Sequence, residues 1–239
     1  MAKTRLSVNI NKVALIRNSR GENLPNIIQF AKDCETYGAD GITVHPRPDE
    51  RHIRYDDLMP LKEVVTTEFN IEGYPSPKFI EIVCNVVPHQ VTLVPDPPGV
   101  LTSSEGWDTL TYADFLIKVI KEFKSYGIRV SLFLEADINA VEFAAKTGTD
   151  RVEFYTGKFA KQYVNNKEQA VYHHAEAAKR ATALGIGINA GHDLNLENLR
   201  YYAANVPNLT EVSIGHALIS DALYYGIQNT IGMYQRLLD

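Results

Sequence analysis

Eight short β-branched runs recur along the chain, and a longer helical pattern separates almost every run from the next. The runs are RLSVNI (5–10), GITVH (41–45), FNIEG (69–73), QVTLVP (90–95), IRVSLFL (128–134), RVEFY (151–155), GIGINA (185–190) and TEVSIG (210–215). Between them lie amphipathic stretches such as NIIQFAKDCETYG, YADFLIKVIKEFKSYG and EQAVYHHAEAAKRATALG. Each of these ends in a glycine (Gly38, Gly127, Gly185), the residue favoured just past a helix C-terminus. Helices between nearly all the runs favour parallel strands, because parallel neighbours need a crossover that a tight turn cannot supply. Strand–helix units of about 30 residues, eight of them in 239 residues, predict an α/β fold, a (β/α)8 TIM barrel forming a single domain over 1–239.

Side chains at i and i+2 of a strand share a face. One face of these runs is apolar: Val8/Ile10, Ile42/Val44, Phe69/Ile71, Val130/Leu132/Leu134, Val152/Phe154, Ile186/Ile188 and Val212/Ile214. The other carries Asn9/Asn11, Thr43/His45, Asn70/Glu72, Glu153/Tyr155, Asn189 and Ser213. With helices covering the apolar face, the polar face points into the lumen, where polar groups cost free energy unless paired. A lumen this polar marks a site, and in such barrels the site lies at the carboxyl ends of the strands. Those ends supply Asn9, His45, Glu72, Glu135, Glu153, His192 and Gly215-His216. Imidazoles and desolvated carboxylates exchange protons near neutrality, so the set points to acid/base catalysis.

The formal charge of −5 is unevenly spread: nine Lys/Arg against six Asp/Glu in residues 1–54, and 15 against 23 in the rest. That balance excludes a broad nucleic-acid footprint but leaves room for a local anion site. The stretch HPRPDERHIR (45–54) places Arg47, Arg51, His52 and Arg54 after a strand end, with Pro46 and Pro48 stiffening the turn. Paired guanidinium donors suit phosphate. Arg51 and Arg54 read better as solvated charges balanced by Asp49 and Glu50, while Arg17 and Arg20 extend the basic rim. Gly215 leads straight into a helix, whose first N–H groups are a further phosphate cue. The loop DPPGVLTSSEGWDT (96–109) is long enough to be a lid. Cys34 and Cys84 without a CxxC, and no apolar run of membrane-spanning length, lead us to expect a soluble cytoplasmic protein with reduced thiols and no membrane contact.

With these residues in line, the chain resembles the pyridoxine 5′-phosphate synthase family of vitamin B6 biosynthesis. The shared segments are VNI (8–10), RNSRG (17–21), GADGITVHPRPDERHI (38–53), NIE (70–72), LVP (93–95), NAGH (189–192) and IGHALI (214–219). The resemblance implies a barrel with added helices, a homo-octamer, no metal or organic cofactor, and two phosphorylated small-molecule substrates, 1-deoxy-D-xylulose 5-phosphate and 3-amino-2-oxopropyl phosphate. It implies His45 and Glu72 as proton acceptors, His192 as proton donor and Glu153 as the stabiliser of the transition state. It further implies Asn9, Arg20, the backbone after His192 at Asp193, and Gly215-His216 around the aminoketone phosphate, with Arg47, His52 and Thr102 around the deoxyxylulose phosphate. Two positions depart from the family's habit, which has Asp-His in place of Asn11-Lys12 and Gly in place of Asp193. The segment TGKFAKQYVNNKEQ (156–169) exceeds what a barrel connection needs and is expected to hold an added helix facing another subunit. The residues by themselves leave two other readings open: a metal-dependent barrel hydrolase or lyase with His45, Glu72 and His192 as ligands, and a non-catalytic sugar-phosphate sensor.

Overall fold

In the first strand Leu6 and Val8 alternate with Ser7, and all three are buried, so both faces of the sheet are covered. The computed structural model, which describes residues 3–96 and 105–239, closes eight parallel strands into a barrel in chain order. They are β1 (Arg5–Asn9), β2 (Gly41–Val44), β3 (Glu68–Gly73), β4 (Gln90–Leu93), β5 (Arg129–Leu134), β6 (Arg151–Tyr155), β7 (Gly187–Gly191) and β8 (Leu209–Ile214). Closure is made by β8 against β1, with Arg5 opposite Glu211 and Ser7 opposite Ser213.

Around them lie α1 (Asn11–Asn18), α2 (Ile27–Thr36), α3 (Leu58–Val64), α4 (Pro77–Val86), α5 (Ala113–Ser125), α6 (Ile138–Thr147), α7 (Gly157–Tyr163), α8 (Lys167–Ala183), α9 (Leu199–Asn205), α10 (His216–Tyr225) and α11 (Ile227–Leu238). Three connections hold two helices where a plain barrel has one: α1/α2, α7/α8 and α10/α11. Local chemistry sets the helix ends. Asn26, Ser76, Asp137 and Asn166 accept hydrogen bonds from the first free N–H groups of α2, α4, α6 and α8, and Pro77 opens α4. The three glycines expected to stop helices do so at positive φ (Gly38 104°, Gly127 75°, Gly185 74°). The added helix expected within 156–169 is α7. Its Phe159 packs on Tyr202 and His174 of the same chain, with ring centroids 4.9 and 5.9 Å away, and Val164 beyond it is exposed.

The expected division of faces holds. Val8, Ile42, Ile71, Val91, Leu132, Val152, Ile188 and Val212 are fully buried and belong to the hydrophobic core. Each such side chain stabilises the fold by roughly 1.5–3 kcal/mol. The lumen face is polar and hydrogen-bonded across strands. Ser7 Oγ lies 2.7 Å from Thr43 Oγ1, Asn70 donates to Thr43 at 3.3 Å, and Thr92 donates to Asn70 Oδ1 at 3.1 Å. Below this tier, at the amino ends of the strands, Glu68 and Glu211 meet Arg5, Arg129 and Arg151. Burial pushes the Glu68 carboxyl up, but the three arginines more than offset that and hold it below its ordinary value.

Two details differ from the sequence reading. Asn11 is the first residue of α1 rather than the last of a strand. The lumen also admits one large apolar ring, Phe133, which is fully buried against Tyr155 and His192.

Candidate active site

Three asparagine contacts assemble the rim above β1, β2 and β3. Asn9 Oδ1 accepts the Asn11 N–H at 3.1 Å, and Asn11 Oδ1 accepts the His45 N–H at 2.9 Å. Asn9 Nδ2 in turn donates to Glu72 Oε2 at 3.3 Å. His45, just past β2, thereby has its Nδ1 held 3.9 Å from Glu72 Oε2 near the end of β3. Both side chains are buried. Burial pushes the Glu72 carboxyl up to about 8, against the pull of Arg47. Burial, with Arg47 next in weight, holds the His45 imidazole well below its ordinary value, so the ring is neutral.

Glu153, on β6, faces the same space. Burial first and the Glu72 carboxyl second raise it well above the ordinary range, while a hydrogen bond with Thr92 acts the other way. Among the described residues its buried Oε2 has no hydrogen-bond partner. A buried carboxyl with one oxygen unsatisfied is open to a ligand. His192 follows β7 at φ 79°, a left-handed conformation uncommon outside glycine, asparagine and aspartate. The Thr156 hydroxyl holds that turn by donating to the Gly191 carbonyl and accepting the Asp193 N–H at 3.2 Å. The His192 ring lies 5.0 Å from Phe133 and 5.6 Å from Tyr155, centroid to centroid, and burial lowers its pKa although Asp193 opposes the shift.

The cationic turn after β2 is less charged than its composition suggests. His52 is buried, its ring centroid 6.2 Å from that of His45. Its Nδ1 accepts the Ile53 N–H at 2.9 Å, which leaves Nε2 to carry the proton of the neutral ring. Burial, then Arg51 and Arg47, bring its pKa down to about 4. The turn thus offers a neutral imidazole donor beside one buried guanidinium, Arg47, whose Nη2 lies 3.3 Å from Asp96 Oδ2 at the end of the β4 segment. Arg51 pairs with Asp49 at 3.5 Å, and Arg54 is exposed, as expected of solvated charges.

Arg17 does not belong to the basic rim. It is 4% exposed and bonded to Asp57, because α1 turns it inward beneath the turn. Arg20, just past α1, is exposed. Gly215 caps α10 against β1, where even a methyl group would stand 3.0 Å from the Asn9 Cβ, and His216 beside it is exposed. The Asp193 side chain is exposed while its main chain is held by Thr156 and Asn198, so the substitution for glycine puts no carboxylate into the lumen. Thr102, with most of the loop read as a lid, lies outside the described residues. Two further histidines have structural partners: His174 Nδ1 lies 2.9 Å from the Tyr202 hydroxyl, and His89 accepts the Phe69 N–H at 3.0 Å. Among the described residues no three His, Cys, Asp or Glu side chains converge as a metal-binding group, and His45, Glu72 and His192 form no such set.

A parallel barrel with titratable groups in its lumen, and a buried guanidinium beside a neutral imidazole donor at the carboxyl rim, is built for proton transfer on small anionic ligands. The chain matches the family model of the pyridoxal phosphate biosynthesis protein PdxJ over residues 6–239. It is 60% identical over 235 residues to a pyridoxine 5′-phosphate synthase of Bacteroides thetaiotaomicron, covering 98% of this chain and 99% of that one. It is 59% identical over 235 residues to the pyridoxine 5′-phosphate synthase of Cytophaga hutchinsonii, with the same coverage. Its fold is similar to that of 3-keto-L-gulonate-6-phosphate decarboxylase from Vibrio cholerae, with a TM-score of 0.68 at 9% identity, covering 100% of this chain and 98% of that one. This chain belongs to the PdxJ family.

Proposed function

We propose that the chain is a pyridoxine 5′-phosphate synthase, condensing 3-amino-2-oxopropyl phosphate with 1-deoxy-D-xylulose 5-phosphate to pyridoxine 5′-phosphate, inorganic phosphate and water. The observation that carries this reading is the pairing of a carboxyl raised to about 8 with a neutral imidazole 3.9 Å away, in a chain of this family. The substrate amine adds to the ketone and loses water to give an imine, so the protein supplies no nucleophilic lysine. Phosphate loss, addition of water, ring closure and dehydration follow, and each moves a proton beside a carbonyl or an imine. Glu72, with its pKa near the working pH, gives and takes protons with similar ease. Neutral His45 is free to accept one, and His192 donates one to the departing oxygen. Glu153 holds developing charge through its carboxyl. A phosphate dianion entering the rim raises the pKa of each nearby imidazole, which prepares His192 as an acid.

Two phosphates give the site two handles, which turn a bimolecular condensation into a reaction between held partners. Arg47, His52 and Thr102 hold the deoxyxylulose phosphate. Asn9, Arg20, the backbone at Asp193, and Gly215-His216 hold the aminoketone phosphate. The whole chain acts as one barrel domain in the cytoplasm, and copies assemble into an octamer. The exposure of Val164 (75%), Leu223 (74%) and Tyr224 (86%) favours assembly. The test is to mix the two phosphates with purified protein and follow the absorbance of the aromatic product, with and without chelator. Ring product in both conditions supports the reading. Activity lost to chelator and restored by a metal ion would replace it with the metal-dependent one.

A further inference from the structure

We propose that Arg17 and Asn18, at the end of α1, are positioning residues for the deoxyxylulose phosphate. They grip the main chain of the turn 50–57 and so fix where His52 points. The proposal rests on the reading above, in which His52, with Arg47, binds that phosphate. The turn lies between β2 and α3, and its stretch 50–54 is neither strand nor helix, so its carbonyls have no ladder to join. The end of α1 supplies the missing donors. Arg17 Nη2 donates to the His52 carbonyl at 3.1 Å, and Asn18 Nδ2 donates to the carbonyls of His52 (2.7 Å), Arg51 (3.1 Å) and Glu50 (3.3 Å). The guanidinium is anchored in turn by a two-pronged bond to Asp57, at 2.7 and 2.9 Å, and by Nε to Asn18 Oδ1 at 3.0 Å.

An arginine this buried is costly unless its charge is paired and its donors are used. Here both conditions are met without any ligand, since Asp57 cancels the charge and four donor contacts are made within the chain. Arg17 therefore contributes little field to an anion and much constraint to the turn. Asp57 extends the grip by accepting the Arg54 N–H at 2.7 Å, and Glu50, at φ 48°, accepts the Tyr55 N–H at 2.9 Å. His52 is thereby held on two sides. Its carbonyl takes two donors from α1 and its Nδ1 takes the Ile53 N–H, which sets the direction of the remaining Nε2–H.

The experiment is steady-state kinetics of Arg17→Met, Asp57→Asn, His52→Ala and the Arg17→Met/His52→Ala pair, with thermal midpoints recorded for each. Arg17→Met should raise the KM for 1-deoxy-D-xylulose 5-phosphate about tenfold or more. The KM for the aminoketone phosphate should stay within about twofold and kcat within about threefold, and Asp57→Asn should show a smaller effect of the same pattern. In the His52→Ala background Arg17→Met should add less than about twofold, because the two act on one contact. If Arg17→Met does not fold, Arg17→Lys keeps the charge, loses the fork and carries the same test. A lowered midpoint with unchanged KM, a rise in both KM values together, or an equal effect in both backgrounds would overturn the proposal. If His52→Ala and Arg47→Ala leave the deoxyxylulose phosphate unaffected, the subsite reading fails and the positioning role falls with it. If those two weaken it and Arg17→Met does not, the positioning role alone fails.

Discussion

His45 Nδ1 stands 3.9 Å from Glu72 Oε2, and the same carboxylate oxygen accepts a hydrogen bond from Asn9 at 3.3 Å. One buried oxygen is thus shared between a fixed amide donor and a neutral ring. The distance to the ring is longer than a hydrogen bond, so the two groups stay distinct and a ligand atom can come between them.

Glu72→Gln keeps the Asn9 contact and the shape of the side chain but removes the exchangeable proton. Turnover should fall about 10²–10⁴-fold. The same variant tests the electrostatic cost of the site. Glu72 has its folded pKa raised from 4.5 to about 8, so the folded chain keeps a proton that the unfolded chain has lost. Its contribution is intact below the ordinary carboxylate value, and stability declines as pH rises through about 8. The thermal midpoint of Glu72→Gln relative to wild type should therefore be higher at about pH 9 than at about pH 5. A difference independent of pH would show that the carboxyl is not raised.

Arg47→Ala should weaken 1-deoxy-D-xylulose 5-phosphate by about 1.5–3 kcal/mol, the worth of a charge-assisted hydrogen bond. Arg47→Lys should recover part of it, because a point charge lacks the paired donors. Arg20→Ala should weaken the aminoketone phosphate instead. Separate titrations of each ligand decide the matter. Equal losses for both ligands in both variants would reduce the basic turn to a general attractor.

His192 sits at φ 79°, where asparagine is tolerated better than most side chains. His192→Asn should keep the fold, with a thermal midpoint within a few degrees of wild type, and lose about 10²–10⁴-fold in turnover. Retained turnover would remove His192 as the proton donor.

At the opposite end of the barrel, Glu68→Gln removes the carboxylate that Arg5, Arg129 and Arg151 share, leaving Glu211 to Arg5 and Arg151. Breaking such a buried set costs about 3–5 kcal/mol, read as a lowered urea midpoint. The KM values should stay unchanged, since the candidate site lies at the other end of the strands. An unaltered midpoint would show that the set contributes nothing net.

Alternation within each strand carried the barrel and the lumen face directly, because the period of two is a property of the extended chain. The strand ends likewise brought His45, Glu72, Glu153 and His192 into view. What periodicity does not encode is the path of the loops. Arg17 and Asp57 are forty positions apart, and their pairing depends on how the turn after β2 folds back over α1. Asp96 against Arg47 and Thr156 beneath His192 were missed for the same reason. The lower charged set was legible in principle, since Arg5, Glu68, Arg129, Arg151 and Glu211 share the lumen register with residues already placed there.

The most direct test of the central claim is the stoichiometry of inorganic phosphate to aromatic product when purified protein is given both phosphorylated substrates. One phosphate should be released per ring formed, none from either substrate alone, and both signals should be lost together in Glu72→Gln. Phosphate release from a single substrate, or binding of both without any ring product, would contradict it.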